Sequence, residues 1–416
     1  MQEVIKETIP PLSITFQKLQ SHSPLKVMLV NEDTGFDALR EEWDQLLDDS
    51  DQCVYFLRWS WNRLWWRRYA PAHSRLFIIT YRNENGRLVG VAPFYWRERR
   101  VWGITYLREL QFLGTGIGLK INEYMDIVAR RGYEQIVAEM TADSLRRNDQ
   151  WDRLWLWCIP ASSTVLSHFQ RAMGANTRVK VCDHAHYVDT SNDWESYIQG
   201  LGKSTRYNIK HRIRQLFKEH RCNLRLVETA DELESAMNVL VQLHQARWES
   251  KGESGSFKLP GFESFLKEAM RVSLAEGRLR LWILTVDDRI AATLLAFVDR
   301  GVAHYFQGGF DPAYSEYRVG TVLLGLCIQE CFDAAEVREF DFMGGGAKYK
   351  DRWTRSRRDM CDLQSFRPSV RSHLYVIGSL AVRQTSRIFR AVAPAPVKAL
   401  CRKLLASVRD PASGEL

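Results

Sequence analysis

A strand–turn–strand pattern occurs once in each half of the chain, and this internal echo restricts the possible folds more than any other feature. In the first half, the apolar residues 76–80 and 87–90 flank a polar turn at 83–86. In the second half, residues 281–285 and 289–292 repeat the pattern around a shorter turn. A repeated supersecondary pattern indicates repeated structural units. The sequence therefore predicts two similar lobes instead of one large mixed domain.

Strand-like and helix-like segments alternate along the chain, which is typical of an α/β protein. A chain of 416 residues is long enough for two or three domains of about 100–200 residues each. We expect two tandem lobes with mixed sheets, followed by a basic helical tail. The expected boundaries are 1–24 for an N-terminal extension, 25–192 for the first lobe, 193–370 for the second lobe and 371–416 for the tail.

Individual elements follow from local periodicity. Apolar residues at helical spacing predict helices at 231–249, 262–275 and 320–334. Short runs rich in β-branched and aromatic residues predict strands, among them 124–128 and 339–342.

Composition and motif content favour a reduced, cytoplasmic protein. The segment from Met1 to Gln20 contains no apolar run of the kind found in secretory signals. The eight cysteines are scattered without a C-x-x-C pair, so a disulfide framework is not indicated. The sequence has no H-E-x-x-H motif, no Cys/His cluster at metal spacing and no G-x-S-x-G motif. We therefore expect no metal cofactor and no serine-hydrolase chemistry.

The segment from Gly200 to Thr205 resembles the end of a phosphate-binding P-loop, but it departs from the full pattern. The G-x-x-x-x-G-K-[ST] motif requires a glycine at position 197, where this chain has Tyr197. The motif also follows a strand, whereas residues 194–199 have a helical or irregular pattern. Nucleotide hydrolysis is therefore disfavoured.

Five basic residues after this segment recur at intervals of three or four, which places them on one side of a helix. They are Lys203, Arg206, Lys210, Arg214 and Lys218. Such a row can bind a pyrophosphate or another polyanion. It can equally be the solvated face of an amphipathic helix, and both interpretations stay open.

Two further segments carry glycine between a strand and polar residues. Residues 306–310 lead through a loop to Gly320 and Thr321, where a helix is expected to begin. The start of a helix offers free N–H groups to a phosphate, although an ordinary capped helix has the same sequence features. Glycines 344–346 precede a basic, aromatic stretch at the expected mouth of the sheet, where ligands bind in open α/β folds. A flexible loop is the alternative for this second segment.

Several short stretches together resemble the CelD-like acetyltransferases, a branch of the GNAT acyltransferases related in fold to the Fem peptidyltransferases. The similarity covers approximately residues 27–367. The matching stretches are residues 88–93, 112–114 and 124–126 in the first half, and 202–210, 244–248, 251–252, 308–312, 320–321, 341–342, 346 and 349–350 in the second half.

The resemblance implies two GNAT lobes and a second lobe that binds acetyl-CoA or another acyl thioester. The family's donor loop has the pattern [QR]-x-x-G-x-[GA], and the residues in its place retain one glycine but lack the second small residue. An aminoacyl or acyl-carrier-protein donor therefore stays open. The implied donor-binding residues are Arg318, Val319, Gly320 and Thr321.

The same resemblance suggests residues for catalysis and for substrate binding. Lys350 among them is expected to be an exposed charge, whose removal should cost little stability. The candidates for general acid or base roles are His304, Tyr305, Asp311 and Tyr349. The candidates for substrate binding are Lys203, Arg206, Lys210, Arg247, Trp248, Asp341 and Lys350.

CelD-like proteins are associated with extracellular polysaccharide production, which implies a small-molecule or carrier-linked sugar as acceptor and does not favour a nucleic acid. A non-catalytic component of a polysaccharide-synthesis complex is the alternative. From Arg371 onward the chain has eight Lys or Arg residues against two acidic ones. We expect two short amphipathic helices there, separated at Pro394 and Pro396. They either contact the inner face of a membrane peripherally or brace the lobes.

Overall fold

A computed structural model describes residues 24–52, 54–116, 121–250 and 252–392 of the chain. The expected N-terminal extension, apart from residue 24, and the expected break at Pro394 and Pro396 lie outside these ranges. Strands and helices alternate through the described residues. The α/β fold expected from the sequence is therefore confirmed.

The strands follow the predicted hairpin pattern in both halves. They are β1 (Lys26–Val30), β2 (Ser74–Arg82), β3 (Leu88–Val101), β4 (Ile104–Phe112), β5 (Val128–Ala129), β6 (Arg153–Pro160), β7 (Thr177–Asp189), β8 (Cys222–Leu226), β9 (Leu279–Val286), β10 (Arg289–Asp299), β11 (Val302–Phe310), β12 (Glu339–Asp341) and β13 (Arg357–Phe366). The predicted strand at 124–128 is wrong over most of its length. Tyr124 has a φ of 60°, which lies outside the range of φ found in extended strands.

Helices cover both faces of the sheet. They are α1 (Asp33–Ala38), α2 (Arg40–Asp48), α3 (Trp59–Tyr69), α4 (Glu134–Arg147), α5 (Thr164–Met173), α6 (Trp194–Gly200), α7 (Lys203–Glu219), α8 (Ala230–Glu249), α9 (Phe262–Ala275), α10 (Val319–Asp333) and α11 (Val370–Val392). Helix α6, and not a strand, precedes Lys203, which confirms that this segment is not a P-loop.

One mixed sheet runs through both lobes in the order β1-β2-β3-β4-β6-β13-β7-β12-β11-β10-β9-β8, with β5 beside β3. The two lobes exchange strands at its centre. Strand β13, from the end of the second half, lies between β6 and β7 of the first half. Strand β7 in turn pairs with β12 of the second half. Because strands from each half pair with strands from the other, neither half forms its part of the sheet alone.

Aromatic side chains join the lobes into a continuous core. The rings of Tyr55 and Phe297 stack in parallel with centroids 4.7 Å apart. Trp61 of α3 is fully buried and packs edge-on against Phe265 and Phe306 of the second lobe. A second core lies on the opposite face of the second lobe's strands, beneath α7 and α10. The first lobe thus packs together with α8 and α9 on one face of the second lobe's strands, and α7 and α10 cover the other face.

Candidate functional site

The second lobe contains a cleft where two parallel strands separate. The pairing of β11 with β12 ends at His304 and Asp341. Beyond this point β11 continues to Phe310 beside β10, while the chain after β12 turns away through residues 342–346. Separated parallel strands leave backbone polar groups unpaired at the edge where ligands bind in α/β folds.

A β-bulge lies on β11 where the strands separate. Gln307 pairs with Leu295 and Tyr305 pairs with Ala296, so Phe306 is an extra residue on β11. Bulges of this kind redirect the backbone and are frequent beside active sites.

The hydrogen-bond pattern of β11 turns two amide groups towards the cleft. The N–H of Asp311 donates to the carbonyl of Ala291 on β10. In an antiparallel pair, N–H groups alternate in direction along the strand. The N–H groups of Gly308 and Phe310 therefore face away from β10 and into the cleft. They are placed to donate hydrogen bonds to a carbonyl oxygen bound there.

Helix α8 crosses β11 closely and brings Arg247 into the cleft. A Cβ atom on Gly309 would overlap with the backbone of α8 at Leu243 and His244, which explains the glycine at this position. The Arg247 guanidinium donates to the Gly308 carbonyl over 3.3 Å and lies over the Phe310 ring. Its Nε is buried and has no hydrogen-bond partner within the described ranges. A buried donor without a partner is suited to binding a ligand.

The predicted donor-binding residues lie at the start of α10, next to the end of β11. Arg318 has a φ of 51° and directly precedes the helix, while Thr321 is exposed in its first turn. Gly320 faces the Phe310 ring, where a Cβ atom would lie 2.8 Å from Cδ1. Since Phe310 also contacts Arg247, the open end of α10 and the cleft form one connected surface.

A cluster of buried charges lies where β12 ends. The carboxylate of Asp341 is fully buried and accepts hydrogen bonds from the Tyr124 hydroxyl and the Met343 N–H. Arg358 donates to Asp341 over 3.0 Å and to Glu339 over 2.8 Å. These contacts involve residues from both lobes. The separation point of β11 and β12 is therefore also the junction between the lobes.

Glu123 and Lys350 hold the loop that follows β12. The Glu123 carboxylate accepts the N–H of Gly344, and Lys350 Nζ donates to the Met343 carbonyl over 2.8 Å. Burial and the nearby charge of Asp341 raise the pKa of Glu123 to about 7, against the opposing effects of the Gly344 N–H and Lys350. Burial lowers the pKa of Lys350. The expectation that Lys350 is exposed is wrong, since only 4% of it is accessible.

The four candidates for acid and base roles have different surroundings. His304 is enclosed by the rings of Phe56 and Tyr124, and burial lowers its pKa to about 4. Asp311 caps the short turn before α10 by accepting the Ala313 N–H over 2.9 Å.

Tyr305 and Tyr349 lie on the other face of the sheet from His304, within the core that α7 and α10 cover. Burial raises the pKa of both hydroxyl groups, and both are close enough to Arg247 to be influenced by its charge. The structure thus brings these two tyrosines together with Arg247, and places His304 on the side of the first lobe.

The basic stripe forms on α7 as predicted, but its first residues are engaged elsewhere. Arg206 donates to the Gln199 carbonyl over 2.9 Å, and Lys210 pairs with Glu195 over 2.7 Å. The opposite end of α7 approaches the residues before α10, where His220 contacts the Tyr317 ring. At 1.5 Å per residue, Lys203 lies roughly 25 Å along the helix from that end. The structure therefore does not bring Lys203, Arg206 and Lys210 to the start of α10.

Trp248 follows Arg247 on α8, and the Arg247 guanidinium lies over its ring at 5.7 Å from the ring centroid. Its indole N–H donates to His244 Nε2 over 2.9 Å. Because indole nitrogen can only donate, this His244 nitrogen carries no proton. Trp248 therefore fixes the orientation of His244 beneath the glycine-rich end of β11.

Glu123, Tyr124, Asp183 and Arg358 complete the junction and are not among the residues that the sequence predicts for the site. Asp183 accepts the Gly345 N–H over 3.1 Å. A signal was present for two of them, because Tyr124 begins one of the stretches shared with CelD-like proteins and Glu123 directly precedes it.

One known protein family matches most of the second lobe. Residues 203–351 match the family described as "Acetyltransferase (GNAT) domain". The match extends from the start of α7 to Asp351, and so includes the cleft, the start of α10 and Lys350. No curated protein matches the chain.

Solved structures with very different sequences share the fold. FemX is 8% identical, with 81% of this chain and 98% of FemX covered at a TM-score of 0.59. A conserved protein of unknown function from Bacteroides thetaiotaomicron is 10% identical, with 82% of this chain and 100% of that chain covered at a TM-score of 0.50. At such low identity these similarities concern the fold alone.

Proposed function

We propose that this acyltransferase, with its GNAT domain in the second half of the chain, holds an acyl thioester in the cleft between β11 and the loop after β12. The acyl group would pass to an amine or hydroxyl. The observation that carries the proposal is the β-bulge at Phe306, which coincides with the separation of the two strands.

The donor's carbonyl would lie beside the N–H groups of Gly308 and Phe310. These amides are held by β11 before the reaction begins, so they can stabilise the negative oxygen that develops during attack. The phosphate groups of a coenzyme A donor would bind at the start of α10, where free N–H groups and the helix dipole favour anions. Arg247, whose Nε is unpaired within the described part of the chain, supplies a further donor nearby.

Glu123 is the group best suited to receive a proton from the acceptor. Its raised pKa, about 7, is close to the value at which a carboxylate accepts protons efficiently near neutral pH. The acceptor's nitrogen or oxygen would bond to the carbonyl carbon as the carbon–sulfur bond breaks. The acceptor's proton would pass to Glu123. Tyr349, whose hydroxyl stays protonated because burial raises its pKa, would donate a hydrogen bond to the departing thiolate. The thiolate would then be protonated from solvent, to which Glu123 releases its proton.

For the acceptor we propose a sugar-linked amine or hydroxyl used in polysaccharide or cell-envelope synthesis, with an acetyl group as the transferred unit. The support is the resemblance of the short stretches to CelD-like acetyltransferases. The acceptor would approach from the junction between the lobes, because Glu123 and Asp341 lie there.

Substitution of the exposed Thr321 tests the donor site. Glutamate in the first turn of a helix is favourable for the helix itself, but it would repel the phosphates of a donor. Acetyl-CoA should therefore raise the melting temperature of the wild type and of Thr321→Ser, but not of Thr321→Glu. Release of coenzyme A in the presence of amino-sugar acceptors should show the same order.

The result distinguishes the possible donors. If an acyl-carrier protein stabilises the wild type and acetyl-CoA does not, coenzyme A is wrongly assigned as the carrier. The same result with an aminoacyl-tRNA would exclude a thioester donor. An equal shift in Thr321→Glu and Thr321→Ser would exclude the start of α10 as the donor site.

A further inference from the structure

The hairpin that joins β3 to β4 projects an exposed apolar tip from the first lobe. Val101 pairs with Ile104, so Trp102 and Gly103 form a two-residue turn with φ values of 50° and 77°. Asn and Gly are the usual residues in such a turn. The indole of Trp102 is 96% exposed, Ile104 70% and Val101 50%. Exposed, adjacent apolar side chains of this kind mark a surface that binds another protein or a membrane.

Helix α11 adds a second exposed apolar row beside this tip. It packs next to β4 and is fixed by Ser372, which donates to the Asp152 carbonyl, and by Tyr375, which accepts from Arg153. Tyr375 also lies close to Tyr106, which follows the hairpin tip on β4.

The exposed row on α11 has helical spacing. Val370, Leu374 and Ile377 recur at intervals of four and three, and their exposed fractions are 76%, 65% and 64%. These side chains therefore lie on one face of the helix and point to solvent.

The sequence from α11 onward carries an excess of one sign of charge. The sequence from 371 to 409 contains eight basic residues and no Asp or Glu. A second copy of the chain would present the same positive charge and would be repelled from a symmetric contact. The complementary partner is therefore anionic.

We propose that the tip residues 101–104 and the exposed face of α11 form a docking surface for a bilayer that contains anionic lipids. Trp102 and Ile104 would enter the boundary between headgroups and acyl chains, while the basic residues are attracted to lipid phosphates. The contact is peripheral: among the described residues no helix is long and apolar enough to cross a membrane. The surface combines the hairpin tip of the first lobe with the tail helix α11, which packs on β4, and it is separate from the proposed donor site.

Vesicle co-sedimentation of the full chain tests this surface. The protein should bind vesicles of phosphatidylcholine mixed with phosphatidylglycerol, and bind poorly to phosphatidylcholine alone. Added salt should weaken the binding, because screening reduces the attraction between basic side chains and phosphates.

Trp102→Asn combined with Ile104→Thr should reduce the binding at least about tenfold, since the apolar side chains that enter the bilayer are lost. Asn suits the backbone of the turn, so the hairpin should persist. Tyr207→Ser, which removes an aromatic side chain 64% exposed on α7, is the matched control and should bind as the wild type does.

Three outcomes would overturn the proposal. The first is a full chain that binds neither kind of vesicle, and the second is equal binding by the double variant and the wild type. The third is a dimer that forms without vesicles and is lost in the double variant, which would identify the patch as a contact between copies. Coenzyme A release by the double variant should stay unchanged, so failure here is distinguishable from failure of the proposed reaction.

Discussion

Arg58 and Asp299 form a bidentate ion pair that connects the two lobes. Arg58 Nε donates to one carboxylate oxygen over 2.6 Å and its terminal nitrogen donates to the other over 2.7 Å. The two side chains are 1% and 0% exposed. Arg58 precedes α3 in the first lobe, whereas Asp299 ends β10 in the second. The pair therefore fixes the lobe that contributes Glu123 against the lobe that contains the cleft.

Asp299→Asn should destabilise the protein markedly. The substitution leaves the buried Arg58 without its main counter-charge, and removing one partner of a buried ion pair costs about 3–5 kcal/mol. The free energy of unfolding in urea measures the effect. Asp37→Asn is the control, because it removes the exposed partner of Arg63 and should cost less than about 1 kcal/mol. Equal losses in both variants would mean that the lobes do not depend on this pair.

Local periodicity was sufficient to predict most elements of the fold. The hairpin of β2 and β3 and the helices α8 and α9 match their predicted positions closely, because each buries a stripe that recurs at its own period. Strand β13 was not predicted. Its partners β6 and β7 belong to the first half of the chain, whereas β13 lies near the end of the second. No local pattern specifies a pairing over so long a separation.

The sequence predicted only part of the site, again because a local pattern does not specify contacts between distant segments. The glycines near 308 and 320 could be recognised in the sequence, because a helix that packs closely against a strand requires a small residue at the contact. The burial of Lys350 was not visible, since it depends on Glu123 in the other lobe and on backbone carbonyls of its own loop. A lysine within a basic stretch has the same local sequence whether it is buried or exposed.

Lys350→Met should reduce both stability and activity. Met fills a similar volume but donates no hydrogen bond to the Met343 carbonyl and leaves Glu123 and Asp341 without the nearby cation. The Met343 and Gly344 carbonyls lose their buried donor, and a buried polar group left unsatisfied costs about 1–3 kcal/mol. Lys348→Met changes an exposed lysine of the same loop and should change the unfolding free energy by about 0.5 kcal/mol or less. A Lys350→Met protein as stable as Lys348→Met would contradict the buried contacts.

Glu123→Gln should change the dependence of the reaction on pH. In the wild type kcat/KM should rise as pH increases through about 7, because the carboxylate must lose its proton before it can accept one from the acceptor. Glutamine cannot accept this proton, so the variant should be roughly 10²–10⁴-fold slower and lack this rise. Glu84→Gln, in an exposed turn, should retain the wild-type profile. A rise near pH 7 that persists in Glu123→Gln would assign the proton acceptor to another group.

The same carboxyl group should make stability depend on pH. Its pKa is about 7 in the folded protein against an ordinary 4.5, so the folded state binds the proton more tightly than the unfolded state. The free energy of unfolding should therefore decrease as pH rises from about 4.5 to about 7. Glu123→Gln should remove this part of the decrease. Parallel curves for the variant and the wild type would mean that Glu123 has an ordinary pKa.

Gly309→Ala tests the close contact between α8 and β11 that positions Arg247. The added methyl group would overlap with backbone atoms of Leu243 and His244, and no side-chain rotation can relieve a clash with backbone. Displacement of α8 should cost about 1–3 kcal/mol and move Arg247 away from the Gly308 carbonyl, so that activity falls along with stability. Gly346→Ala adds the same methyl group to the loop after β12 at a position with nothing within 4 Å, and should leave both quantities nearly unchanged. If both alanine variants behave alike, the glycine at 309 is not required by the packing of α8, and the position of Arg247 must be set by its contacts with Phe310 and Trp248.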